Sequence, residues 1–184
     1  MTDAAAISKP QALVVIDLQN IMFDGAVLPP MPNGQRLLIK VRELIGKARE
    51  ANVPIVFVRH NDSAGGPMHI GAKGWQIVEI IAPLQTDTII EKQSPDSFHK
   101  TNLDACLRSF GAKRVAFCGA QTEFCVDTTV RSAKSLGYEP LLVSDAHGTF
   151  DTVVLKAEQI IAHHNLTLRS FSRLVKADQL FPQV

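Results

Sequence analysis

Nowhere in this 184-residue chain do about 18 apolar residues run together. Its first ten residues, MTDAAAISKP, also lack the basic segment and long apolar stretch of a secretory leader. The expectation is a soluble, cytoplasmic protein with no membrane partner. Charge of one sign is missing as well. Nineteen Lys and Arg stand against 18 Asp and Glu, for a formal net charge of +1. The basic residues are scattered, leaving no electrostatic footprint for a phosphate backbone or an anionic lipid surface, so nucleic acid is not an expected partner. Cysteine is scarce: Cys106, Cys118 and Cys125 are an odd number with no CxxC or Cys/His ligand spacing. Reduced thiols are expected rather than a disulfide framework. Repeats, low-complexity tracts and long charge runs are absent. What is present, 46% hydrophobic residues over 184 positions, suits one compact domain spanning 1–184, with residues 1–10 as a flexible arm.

Short β-rich runs alternate with segments of helical period along the whole chain, the pattern of an α/β fold with helices on both faces of a mainly parallel sheet. ALVVID (12–17) is a continuous apolar run ending in an acid, as expected of a strand buried on both faces. Leu37, Leu38, Val41, Leu44, Ile45 and Ala48 mark a helix over 34–51, and PIVFVR (54–59) a second strand. Residues 60–86 are broken by Gly65, Gly66, Pro67, Gly71, Gly74 and Pro83 and read as a long loop or lid. DTIIEK (87–92) is a third strand, and Leu103, Cys106, Leu107 and Phe110 make one helical face, with Cys106 as a core residue. RVAFCG (114–119) is the fourth strand, with Cys118 packed inside it. Val126, Val130, Ala133 and Leu136 line a helix over 124–136 that stops at Gly137. YEPLLVS (138–144) is the fifth strand. A helix follows over 151–164 through Val153, Val154, Ala157, Ile160 and Ile161, and LTLRS (166–170) is the candidate sixth strand.

In open α/β sheets, sites form beyond the carboxyl ends of the strands. Asp17, Arg59 with His60, Lys92, the 119–125 turn and Asp145 occupy those ends. An acid, a lysine and a cysteine from three strands supply the parts of a thiol nucleophile. A free thiol is mostly protonated at neutral pH and needs a cation, a base or a helix dipole to activate it. Cys125 opens the 124–136 helix, where free N–H groups favour negative charge. Lys92 is available to stabilise the anion and Asp17 to accept the proton, with the turn amides set for an oxyanion. On residue pattern alone two other readings stand beside this one. Cys125 is equally a small packing residue at a helix start, and Asp17 and Lys92 a plain ion pair closing two strand ends.

VVIDLQN, IIEKQSPDSFHKTNLDACL, CGAQTEFCVDTTVRSAKSLGY and LLVSDA together resemble the isochorismatase-like cysteine hydrolase superfamily, over roughly residues 12–170. The block G-x-x-T-x-x-C-V-x-x-T, here Gly119, Thr122, Cys125, Val126 and Thr129, is its most specific part. The resemblance implies a three-layer, Rossmann-like six-stranded sheet and a catalytic triad of Asp17, Lys92 and Cys125. It implies a cysteine that attacks an amide or ureide-type carbonyl, expels ammonia or an amine, and is freed by water from a thioester. Asp17 would take the thiol proton and Lys92 would lower the thiol pKa. It further implies a cis peptide before Gln121, an oxyanion hole of the Gln121 and Cys125 amides, a small amide-like substrate and a homo-oligomer.

Departures from the pattern narrow this reading. The nicotinamidase branch holds a metal with an Asp-x-His pair and a further histidine, whereas VRHNDSAGGPMH lacks that spacing. His60, Asp62 and His69 are therefore not expected to ligate a metal, and no cofactor is expected. The branch that cleaves the vinyl ether of isochorismate lacks the cysteine, so Cys125 argues against that activity. Met22 stands where many relatives carry phenylalanine, with Phe23 one place later. Gln19, Phe23, His60, Trp75 and Phe98 are candidates to shape the substrate pocket, with core packing the competing role for the aromatics. Asp145 is read as a turn cap or amide binder, and His163 and His164 as helix-end or surface residues. The alternative function is a non-catalytic or redox-responsive α/β binding protein of the same fold.

Overall fold

The computed structural model describes residues 9–181, so most of the expected N-terminal arm lies outside the described residues. Six strands, β1 (Ala12–Ile16), β2 (Ile55–His60), β3 (Thr88–Lys92), β4 (Arg114–Ala120), β5 (Glu139–Gly148) and β6 (Arg173–Val175), form one sheet in the order β3-β2-β1-β4-β5-β6. Every neighbouring pair is parallel. Around it run α1 (Gly34–Glu50), α2 (Leu103–Ser109), α3 (Asp127–Ser135), α4 (Ala157–Thr167) and α5 (Ala177–Leu180). Among the described residues no helix is long and apolar enough to cross a membrane.

The central strand shows why ALVVI reads as unbroken apolar sequence. Side chains alternate across a strand, and β1 is covered on both sides. Leu13 and Val15 enter a core with Leu38, Val41 and Leu44 of α1 and Leu180 of α5. Ala12, Val14 and Ile16 enter a second core with Leu103 and Leu107 of α2 and Val130 and Ala133 of α3. Chain order reverses between β1 and β4, which open a crevice at their carboxyl ends where the crossovers leave to opposite sides. Here Gly119, at φ +126°, pairs with Ile16. A Cβ at Gly119 would fall onto the Ile16 carbonyl oxygen and 2.6 Å from its nitrogen, so the two strands meet this closely only without a side chain.

Several sequence expectations are corrected. Residues 166–170 are not a strand: α4 runs to Thr167, a 3-10 turn covers Leu168–Ser170, and the sixth strand is Arg173–Val175. Leu168, in the 3-10 turn that ends this helix, is fully buried in the core formed with α2 and α3. The helix expected from 151 begins at Ala157, because Asp151 Oδ1 accepts the Ala157 N–H (2.8 Å) and Thr152 Oγ1 accepts the Leu155 N–H (2.9 Å), tying 151–156 into a turn. Val153 and Val154 are consequently exposed rather than core. Phe110 and Leu136 also lie in solvent, since each is the capping residue just past its helix, beyond the edge of the core. The helix carrying Cys125 starts earlier than expected, as a π-helical turn over Thr122–Val126 that leads into α3. β5 is longer than expected and carries Asp145 inside it. There Asp145 accepts the Ala177 N–H (2.9 Å) and pairs with Lys40 (3.0 Å), a capping role.

Gly119→Ala is expected to destabilise the fold by more than twice as much as Gly137→Ala in urea unfolding. Gly137 also has positive φ but nothing within 4 Å of an added Cβ, so its cost is the backbone cost alone, about 1–2 kcal/mol. Cys118 generates a pH dependence. Burial in β4 holds its thiol at about 12, above the ordinary value of 9.0. The unfolded chain therefore ionises first, so the contribution is fully present below pH 9 and lost as pH rises towards 12. Cys118→Ala is expected to lower stability at neutral pH and to flatten this alkaline decline, read as unfolding free energy against pH.

Candidate active site

β1 is followed directly by Asp17, whose backbone takes the left-handed conformation (φ 49°), uncommon outside glycine and best tolerated by Asp and Asn. Its carboxylate is 1% exposed and its Oδ2 lies 2.5 Å from Lys92 Nζ, itself fully buried at the end of β3. The same ammonium reaches Cys125 Sγ at 3.2 Å and the Ser94 carbonyl at 2.9 Å. The structure thus brings Asp17, Lys92 and Cys125 together from β1, β3 and the turn after β4. Asp17 Oδ1 is buried with no hydrogen-bond partner among the described residues, whereas Cys125 is partly accessible.

The electrostatics correct one expectation. Lys92 does pull the Cys125 thiol towards ionisation, but burial and the Asp17 charge outweigh it and push the thiol up to about 12. The Cys125 thiol is therefore neutral at rest. Burial also raises the Asp17 pKa, with Lys92 opposing the rise. A carboxylate that is reluctant to stay charged is a better proton acceptor than an ordinary aspartate.

The turn after β4 carries the rest of the motif. The Ala120–Gln121 peptide is cis, and the Gln121 carbonyl accepts the Val126 N–H (3.1 Å). Thr129 Oγ1 donates to Ser97 Oγ (2.8 Å) and accepts the Ser97 N–H (3.1 Å), fastening the segment after β3 to α3. Thr122 Oγ1 lies 2.9 Å from His147 Nδ1, and His147 Nε2 lies 3.1 Å from Asn165 Oδ1.

The expected pocket residues divide. Gln19 is fully buried and lines nothing: its Oε1 accepts the His60 N–H (2.9 Å), and its Nε2 donates to the His60 (2.9 Å) and Trp75 (2.8 Å) carbonyls. It clips the 60–76 loop to β1. His60 is half-buried beside Asp17 and Lys92, its pKa lowered by burial and then by Lys92, against Asp17 and Asp62. His60 Nδ1 is buried with no hydrogen-bond partner among the described residues. Trp75 donates to Asn61 Oδ1 and lies under the Arg59 guanidinium, 3.4 Å from the ring centroid. Phe23 packs on Gly34 at the start of α1, and Phe98 stacks on Tyr138 (5.8 Å). The Phe23 ring packs against the core, and Phe98 also stands in the wall of a cleft with His99, Lys100 and Arg131. Another cleft, of about 540 Å³, opens over the end of β3, with Asn61, Glu91, Lys92, Gln93, His99 and Lys100 in its walls.

Asn61, Thr122, His147 and Asn165 also lie in or behind the crevice, and the sequence pattern does not single them out as candidates. Thr122 lies in the quoted motif and was the findable one. The sequence pattern ends the fifth strand at 144, whereas β5 runs to Gly148 and includes His147. His69 turns its Nδ1 onto the Gly66 carbonyl (2.7 Å), and His60 Nε2 is 3.7 Å from Asp62 Oδ1. Among the described residues no group of three or more His, Cys, Asp or Glu side chains is placed to hold a metal ion. His163 is exposed, and His164 bonds the Ile160 carbonyl within α4 (2.9 Å).

Comparison with known proteins agrees with this architecture. A putative isochorismatase hydrolase from Oleispira antarctica superposes with a TM-score of 0.88 at 27% identity, covering 97% of this chain and 99% of that one. Streptothricin hydrolase of Streptomyces noursei is 33% identical over 77% of this chain, which spans only 50% of that protein's length. Nicotinamidase 3 of Arabidopsis thaliana is 31% identical over 94% of this chain and 88% of its own. The isochorismatase domain model matches residues 11–170, which contain Asp17, Lys92 and the turn that carries Cys125. The chain therefore belongs to the isochorismatase family of hydrolases.

Proposed function

We propose that the protein is a cysteine hydrolase that cleaves an amide or ureide-type C–N bond of a small molecule through a thioester. The observation that carries this reading is the Lys92 ammonium held between Asp17 (2.5 Å) and Cys125 (3.2 Å) at the topological switch point. Curated relatives named nicotinamidase and ureidoacrylate amidohydrolase support the bond class.

In this mechanism Asp17 accepts the Cys125 S–H proton as Sγ attacks the carbonyl carbon, so thiolate never accumulates in the buried site. The oxyanion that forms is met by the Gln121 and Cys125 amides of the turn, with Lys92 compensating the charge. The C–N bond then breaks as Asp17 returns its proton to the leaving nitrogen. Water, giving a proton to Asp17, attacks the thioester, and the thiol is restored as the acid leaves. The raised Asp17 pKa suits a group that must hold a proton between these steps. His60 Nδ1, buried without a partner among the described residues, is one polar atom available to orient the substrate. The reading carries with it a cytoplasmic homo-oligomer of a single domain, and exposed Val153 and Val154 are consistent with self-association.

Ammonia release from a panel of small amides, assayed with and without chelator, tests the reading. Cys125→Ala and Asp17→Asn are expected to lower turnover by on the order of 10³-fold or more, with chelator leaving the wild-type rate unchanged. Full retention of hydrolysis by Cys125→Ala would overturn it. Lys92→Met is expected to lose activity and, by leaving the Asp17 carboxylate buried without its partner, to cost about 3–5 kcal/mol in urea unfolding.

A further inference from the structure

The network behind the turn has its hydrogens assigned by its own geometry. Asn165 Nδ2 donates to the Ser144 carbonyl (3.0 Å), which fixes the amide so that Oδ1 faces His147 Nε2 at 3.1 Å. Nε2 must then carry the proton, Nδ1 presents a lone pair, and the Thr122 hydroxyl donates to it at 2.9 Å. Both side chains are buried, His147 at 4% exposure and Thr122 at 0%. Thr122 opens the π-helical turn that carries Cys125 and follows Gln121 directly. His147 reaches this position because β4 and β5 fall out of register: Phe117 pairs with Leu142, yet Gly119 already pairs with His147.

We propose that His147 is a positioning residue which, through the Thr122 hydroxyl and anchored by Asn165, locks the Gln121–Cys125 turn and so sets how Cys125 sits against Lys92 and Asp17. The purpose assigned to the lock rests on the reading of Cys125 as the nucleophile. Burial lowers the His147 pKa to about 4, so the neutral tautomer the network requires persists through the neutral range. His164 from α4 adds to that lowering, while the Asn165 bond and Asp145 on β5 oppose it. The groups facing Cys125 are Asp17 from β1 and Lys92 from β3, with His60 of β2 coupled to both.

The test is the pH–rate profile of Cys125 alkylation by iodoacetamide, with each cysteine followed separately by peptide mass. Thr122→Val removes the donor hydroxyl at nearly constant volume, and His147→Leu removes its acceptor. Loosening the turn admits water to a thiol whose pKa is raised chiefly by burial. Alkylation of Cys125 in Thr122→Val is therefore expected to quicken about tenfold at neutral pH and its midpoint to move down. Thr122→Ser and His147→Gln, which keep a donor and an acceptor in place, are expected to return the profile to within about twofold of wild type. Cys118, fully buried in β4, is the control for global opening. An unchanged Cys125 profile in Thr122→Val would overturn the inference, as would Cys118 quickening in parallel or a failure of Thr122→Ser to restore the profile. If no amide is hydrolysed while the Cys125-specific shift appears, the lock stands and the hydrolase reading falls.

Discussion

One buried contact organises this protein: the Lys92 ammonium shared between the Asp17 carboxylate and the Cys125 sulfur. Taking two opposite charges out of water is expensive, and their attraction offsets the cost only when they are held close and further hydrogen bonds satisfy what remains. The fold supplies those conditions. β1 and β3 deliver Asp17 and Lys92 from either side of β2, and the Ser94 carbonyl takes another ammonium proton. Gly119 lets β4 approach β1 closely enough for the following turn to bring Cys125 to the pair.

The same burial decides the chemistry. An electropositive neighbour alone would argue for a standing thiolate, but here dehydration and the Asp17 charge act together against Lys92, leaving the sulfur protonated. A neutral thiol, a carboxylate of raised pKa and a fixed ammonium form a cluster in which the proton sits on sulfur at rest. This suits an amide hydrolase, which must deliver that proton to a poor leaving nitrogen, and it suits a redox-responsive thiol less well, since such thiols are thiolate-rich and exposed.

Legibility along the chain followed burial and spacing. ALVVI could be read because a strand covered on both faces admits little but apolar residues, and α1 because its buried positions recur at helical spacing. LTLRS misled because five residues do not separate a period of two from the end of a helix whose buried Ile160 lies upstream. Val153 and Val154 misled because side-chain hydrogen bonds from Asp151 and Thr152 override apolar spacing. Phe98 and Phe23 carried no pattern separating a pocket wall from packing: Phe23 packs on the core, while Phe98 both stacks on Tyr138 and lines a cleft.

The sequence by itself determined the α/β alternation, the strand-end positions of Asp17, Lys92 and the Cys125 turn, and the family to which their spacing belongs. These are local properties, written in hydrophobic period and motif. Only the tertiary structure decided that the thiol rests protonated, that Gln19 fastens the loop rather than lining the pocket, and that His147 stands behind Thr122. Each of those depends on depth from solvent or on register between strands, and residues far apart in the chain acquire such properties only when the sheet assembles.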